Sequence, residues 1–142
     1  MTDGGPPIEV AAGLVFRGGK LLITQRPHES HLGGLWEFPG GKREKGESFE
    51  DCLRRELAEE LGIEVQVYDL VEDILHHYPE RSVRLKFFRC RWLRHEPQAI
   101  LCHDWAWIGP EQVPDYAFPA ADARLLEKLR SDWRQWSAFA DS

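Results

Sequence analysis

The apolar positions divide the chain into blocks with different periods. Ile8 to Phe16 (IEVAAGLVF) is a β-branched, apolar run that predicts a buried strand. Arg17-Gly18-Gly19 supplies a turn, and Lys20 to Arg26 (KLLITQR) returns as the second strand of a hairpin. The Gly- and Pro-rich segment PHESHLGGLWEFPGGKREKGES then reads as a long functional loop with a short extended LWEF inside it. Phe49, Leu53, Leu57 and Leu61 recur every four residues, the stripe of a helix that faces a core. Ser48 and Asp51 form its capping pair, and Gly62 stands where a left-handed C-cap belongs.

Strands follow at Glu64 to Leu75 and Ser82 to Leu93, joined through the turn Tyr78-Pro79-Glu80-Arg81, and again at Asp104 to Gly109. A helix from about Ala120 to Trp136, after Pro119, closes the chain. The order of strands, helix, strands, helix predicts an α+β fold, a mixed β-sheet sandwiched between helices. There is no internal repeat or linker, so a short tail (1–7) and one domain (8–142) are expected.

Composition narrows the function. The 142 residues are 42% hydrophobic and 30% charged, as in an ordinary globular protein. A net charge of -6 argues against a nucleic-acid polymer as partner, because such affinity comes from Lys and Arg neutralising phosphates. A small anion would need a metal cation or a local basic pocket. Three cysteines without CxxC spacing read as free thiols in a reducing compartment. MTDGGPP has neither the basic nor the apolar region of a signal peptide, and no apolar run approaches the ~18 residues that span a bilayer. A cytoplasmic protein with no membrane partner is the expectation.

The helix poses a problem of charge. RRELAEEL packs Glu56, Glu59 and Glu60 into neighbouring helical positions, where like charges repel. The bland reading is a solvated face with Arg55 and Glu59 as an i,i+4 pair. The preceding loop, GGKREKGES, favours another, since its small residues allow close backbone approach beside the acidic face. Clustered carboxylates with a backbone carbonyl suit a hard divalent cation such as Mg²⁺, which would resolve the repulsion and hold a phosphate.

From Gly41 the chain reads GKREKGESFEDCLRRELAEELGI. This matches the Nudix box, G-x5-E-x7-R-E-U-x-E-E-x-G-U with U a bulky aliphatic residue, at all nine specified positions, and the chain resembles the Nudix hydrolases. The resemblance implies an α/β/α sandwich that cleaves nucleoside diphosphates linked to another group, using Mg²⁺ or Mn²⁺ and a water nucleophile. It implies that Glu56, Glu59 and Glu60 bind metal, with one of them polarising the water, and that the Gly40 carbonyl joins the shell. Arg55 would orient these glutamates, and Glu47 would be an outer acidic residue. The family usually adds an acidic residue from the loop before the last strand. Here EPQAILCHDW offers Glu96 and Asp104, whereas the preferred register puts Cys102 or His103 at that place.

Beyond the box the chain resembles the MutT branch. LITQRPHESHLGGLWEFPGGK is similar to the segment carrying substrate contacts, which implies roles for Arg26, His31, Gly41 and Lys42 near the nucleotide and for Phe38 in the wall of the base pocket. YPERSVRLKFF resembles the MutT hairpin and adds Arg81; FPAADARLLEKL resembles the base-reading segment, with Asp122 at the reading position.

MutT carries Asn there, and the difference is chemically serious. An amide offers a donor and an acceptor for 8-oxoguanine, whereas an ionised carboxylate only accepts unless burial protonates it. Ionised, it suits the exocyclic amine of cytosine. Three readings follow: a pyrophosphohydrolase that clears 8-oxo-dGTP, one acting on CTP, dCTP or modified dCTP, and a non-catalytic Nudix module, which a complete box disfavours. Cys52 is expected to pack against the sheet. Trp133 and Trp136 either cover the core or make a dimer contact, so monomer and homodimer both stay open.

Overall fold

Strand β1 (Ile8–Arg17) turns at Gly18-Gly19 into β2 (Lys20–Gln25), as two apolar runs around paired glycines require. The computed structural model describes residues 5–139. The expected tail therefore falls partly outside the described residues. At positions 5–7 the chain is exposed, and the Pro6 carbonyl accepts from Arg81. The remaining elements are β3 (Trp36–Glu37), β4 (Gly40–Lys42), α1 (Phe49–Leu61), β5 (Glu64–His77), β6 (Ser82–Arg94), β7 (Asp104–Ile108) and α2 (Ala123–Trp136).

The sheet is mixed. β1 pairs antiparallel with β2 and β4, and in parallel with β6 from Ile8↔Val83 to Phe16↔Arg91. β5 lies beyond β6, while β2 carries β3 and β7. Side chains alternate across β1 as the pleat demands. Ala11 and Val15 join Cys52, Leu53, Leu57 and Leu61 of α1 in one core cluster. Ala12, Leu14 and Phe16 join Leu125, Leu129, Trp133 and Trp136 of α2 in the other. This is the expected sheet between two helices.

Three boundaries differ from expectation. β4 lies inside the segment read as loop, because its pairing with Val10, Ala11 and Ala12 is long-range and glycines carry no strand propensity. α2 begins at Ala123, after a 3-10 turn over Ala120–Asp122, and a further 3-10 segment covers Pro110–Asp115. Trp133 and Trp136 are core residues. Trp133 meets Phe16 edge-on at 5.9 Å, and its indole donates to the Gly19 carbonyl at 2.8 Å. Cys52 is fully buried against the sheet, as expected. Among the described residues no helix is long and apolar enough to cross a membrane.

Candidate active site

The helix that carries the acidic cluster is fixed at both ends. The Ser48 hydroxyl accepts from the Asp51 amide at 3.0 Å, and Gly62, at φ 70°, donates its amide to Ala58. The apolar stripe then presses α1 onto the sheet and turns Arg55, Glu56 and Glu59 towards the loop before it. Arg55 is the hub. Its Nε and Nη2 donate to Glu47 at 3.1 and 2.7 Å, and its Nη1 reaches Glu56 at 3.0 Å and Glu59 at 3.1 Å. Nη2 also donates to the Lys42 carbonyl at 3.1 Å. This guanidinium pulls the Glu47 carboxyl down to about 2, helped by the Glu44 amide, and Glu47 raises Arg55 in return.

Glu60 stands apart from the other two glutamates. It is buried, and the Gly40 amide donates to its Oε1 at 3.3 Å. Burial, then the negative charge of Glu37 and of Glu56, pushes its carboxyl up to about 8, against the pull of the Gly40 amide. The loop approaches closely enough that a Cβ on Gly41 would overlap the Glu56 carboxylate.

Repulsion between Glu56 and Glu59 is thus relieved within the chain by Arg55, without a metal. Among the described residues, no three His, Cys, Asp or Glu side chains form a ready-made metal cluster. The donor set still fits a hard divalent cation. It is all oxygen, and two of its carboxylates flank β4, Glu60 at the Gly40 amide and Glu56 against Gly41.

The residues expected to meet a nucleotide fall into two groups. Arg26, His31 and Arg81 line one cavity of about 310 Å³ together with Tyr78, Val83 and Leu85. Arg26 donates to the His31 carbonyl at 2.7 Å and to Glu37 at 3.2 Å, and Arg81 donates to the Pro6 carbonyl at 2.8 Å. Phe38 and Asp122 are not among the residues lining that cavity. Phe38 is a core residue and not an open wall: its ring stacks on Phe118 at 5.3 Å and meets Phe87 edge-on at 6.0 Å. Lys42 is exposed at the end of β4, and the Gly41 carbonyl accepts weakly from the Cys52 thiol at 3.5 Å.

Asp122 is buried in the turn before α2, and burial followed by the charge of Glu37 raises its carboxyl to about 7. Glu37 therefore acts electrostatically on Glu60 and Asp122 while its own carboxylate holds Arg26. Burial raises Glu37 too, with Arg26 partly offsetting. Glu37 is missing from the expected site residues. Its signal was a lone carboxylate inside the apolar run Leu35-Trp36-Glu37-Phe38, because a buried polar group is the informative exception.

The loop before β7 is docked on the C-terminal end of α1. The Gln98 amide donates to the Leu61 carbonyl at 2.9 Å, and the Ile100 and Leu101 amides donate to the Glu60 main-chain carbonyl at 3.2 Å. Glu96 leaves the site to pair with Arg17 at 2.9 Å, and Asp104 caps the Trp105 amide at 2.8 Å. Cys102 is buried, and its thiol is raised to about 11, first by burial and then by the charge of Glu60. His103 packs edge-on against His28 at 4.4 Å.

Known proteins resemble this chain in sequence and in fold. A family model described as the NUDIX domain matches residues 11–128. The chain is 41% identical over 125 residues to the CTP pyrophosphohydrolase of Escherichia coli K12, covering 84% of this chain and 89% of that protein. It is 31% identical over 124 residues to the 8-oxo-dGTP diphosphatase of the same organism, covering 87% and 96%. The solution structure of the E. coli ORF135 protein superposes with a TM-score of 0.76 at 37% identity, covering 90% of this chain and 95% of that one.

Proposed function

The chain belongs to the Nudix family of hydrolases, and from that membership we propose that it cleaves a nucleoside triphosphate with water to the monophosphate and pyrophosphate, its preferred substrate being 8-oxo-dGTP. The observation that carries the choice of base is Asp122. A carboxyl buried beside a second negative charge and titrating near 7 is partly protonated at neutral pH. In that state it offers a donor and an acceptor together, as the amide at the MutT reading position does. The cytosine nucleotides are the second reading, favoured by the 41% identity to a CTP pyrophosphohydrolase. The ionised form of the same carboxyl accepts from an exocyclic amine.

Mg²⁺ or Mn²⁺ fits the donor set of Glu56, Glu59, Glu60 and the Gly40 carbonyl; when bound, such an ion neutralises phosphate charge and acidifies water. The protein's own residues do the rest. Arg55 holds Glu56 and Glu59 in one orientation and keeps Glu47 ionised beside them. A carboxylate of this group takes the proton of the attacking water. Arg26 and Arg81, at a shared cavity, are the cations available to the triphosphate. Glu80 lines the same cavity and Glu37 pairs with Arg26, so Arg81 is the guanidinium there without a carboxylate partner of its own among these contacts.

The test is kcat/KM with Mg²⁺ for 8-oxo-dGTP, dGTP, dCTP and CTP side by side, with products resolved by chromatography. A clear preference for 8-oxo-dGTP over dGTP, with pyrophosphate released, is the expected result. A preference for cytosine nucleotides moves the assignment to the second reading. Release of single phosphates in place of pyrophosphate sinks both.

A further inference from the structure

Glu72 is a buried carboxylate that the chemistry above does not use. Its side chain is 5% exposed, and it lies on β5, nine residues beyond the end of the box. A register shift brings it there. β5 and β6 pair at Leu70↔Phe88 and next at Glu72↔Phe87, so one extra residue is fitted into β5. Such a bulge re-aims side chains. Val71 joins the cluster under α2, and Glu72, opposite Phe87 of that same cluster, faces α2 as well.

There Glu72 meets the first two turns of the helix. Arg124 donates from Nε at 3.1 Å and from Nη2 at 3.3 Å, and the Lys128 ammonium lies 3.1 Å away. The Asp73 amide, at 3.1 Å, holds the carboxylate from behind. Arg124 is two residues beyond Asp122. The Asp122 side chain makes no capping bond of its own, so its direction follows that of the turn it belongs to.

We infer that Glu72 is a positioning residue for base discrimination: from β5 it fixes the first two turns of α2, and through them the angle at which Asp122 meets the base. The apolar face of α2 sets its depth on the sheet but permits rocking about the Leu125–Trp136 line. The two ion pairs to one buried carboxylate oppose that rocking. This inference rests on the reading of Asp122 as the base reader.

The experiment measures kcat and KM for 8-oxo-dGTP and CTP in the full chain and in the Glu72→Gln, Arg124→Gln and Asp122→Asn variants. Glu72→Gln is expected to raise KM for the preferred nucleotide and to shift the ratio of the two kcat/KM values by roughly tenfold, as small misplacements of a contact do. Arg124→Gln, at an exposed site that leaves the core intact, shifts it in the same direction and carries the test if Glu72→Gln does not fold. A loss of folded protein alone lowers turnover of both nucleotides equally, and an unmoved ratio of that kind overturns the inference. Should Asp122→Asn change the ratio while the other variants do not, the positioning role is wrong and the reader stands. If Asp122→Asn leaves it unchanged too, both fall.

Discussion

Arg55 binds Glu47 through two nitrogens, at 3.1 and 2.7 Å, across the junction between the glycine-rich loop and α1. The same guanidinium reaches Glu56 and Glu59, so one side chain links three carboxylates from two segments. Arg55→Ala frees Glu56 and Glu59 to repel each other and to lose orientation. Activity should fall on the order of 10–100-fold, as for other residues that orient metal ligands. The measurement is kcat/KM against Mg²⁺ concentration, and an unaltered metal dependence would count against the role.

Metal binding should depend on pH through Glu60. With its carboxyl near 8, Glu60 is largely protonated at pH 6, and a cation must displace that proton. Affinity for Mg²⁺ should therefore weaken as pH falls below about 8, with protons released on binding. Calorimetry in two buffers of different ionisation enthalpy reads this directly. Glu60→Gln should abolish the proton release and most of the activity.

Asp122 makes stability depend on pH in the opposite sense to an ordinary ion-paired carboxylate. Its folded value of about 7 lies above the usual 3.8, so the folded state binds the extra proton between those limits. Its contribution is fully present below the usual value and is lost as pH rises through about 7, at roughly 1.4 kcal/mol per pH unit within the window. Asp122→Asn should remove this slope and be the more stable protein at pH 8. The preference for 8-oxo-dGTP over CTP should also decline as pH passes 7.

Gly41 is needed for closeness. Alanine there would drive its methyl into the Glu56 carboxylate, forcing that side chain off Arg55. The expected outcome is folded protein with activity reduced about tenfold or more, since small displacements at a reacting centre are costly. Circular dichroism and kcat/KM together separate this from unfolding.

Much of the architecture was written locally. The four-residue stripe, Ser48 and Gly62 define α1, and the glycine pair defines the β1–β2 turn. The regular spacing of the box likewise brought Glu47, Arg55, Glu56 and Glu59 together around one guanidinium. β4 escaped because its strand character comes from β1, some thirty residues earlier, and not from its own glycines. Glu60 follows Leu53 by seven residues and so shares the face of the apolar stripe, where its carboxylate is buried beside the Gly40 amide. Asp122 was legible as a position, whereas its protonation depends on burial and then on Glu37, a neighbour only in space.

β1 pairs with β6 in parallel, each residue meeting one 75 positions further along. Parallel pairing at that range closes a large loop before it returns any contact, which slows folding. During synthesis the whole box leaves the ribosome while β1 still lacks the strand beside it. A nascent chain ending at Ile63 carries every motif residue and the strands β1 to β4, but lacks β6, which flanks β1 along most of its length. The box therefore gains its full support only once β6 lies against β1.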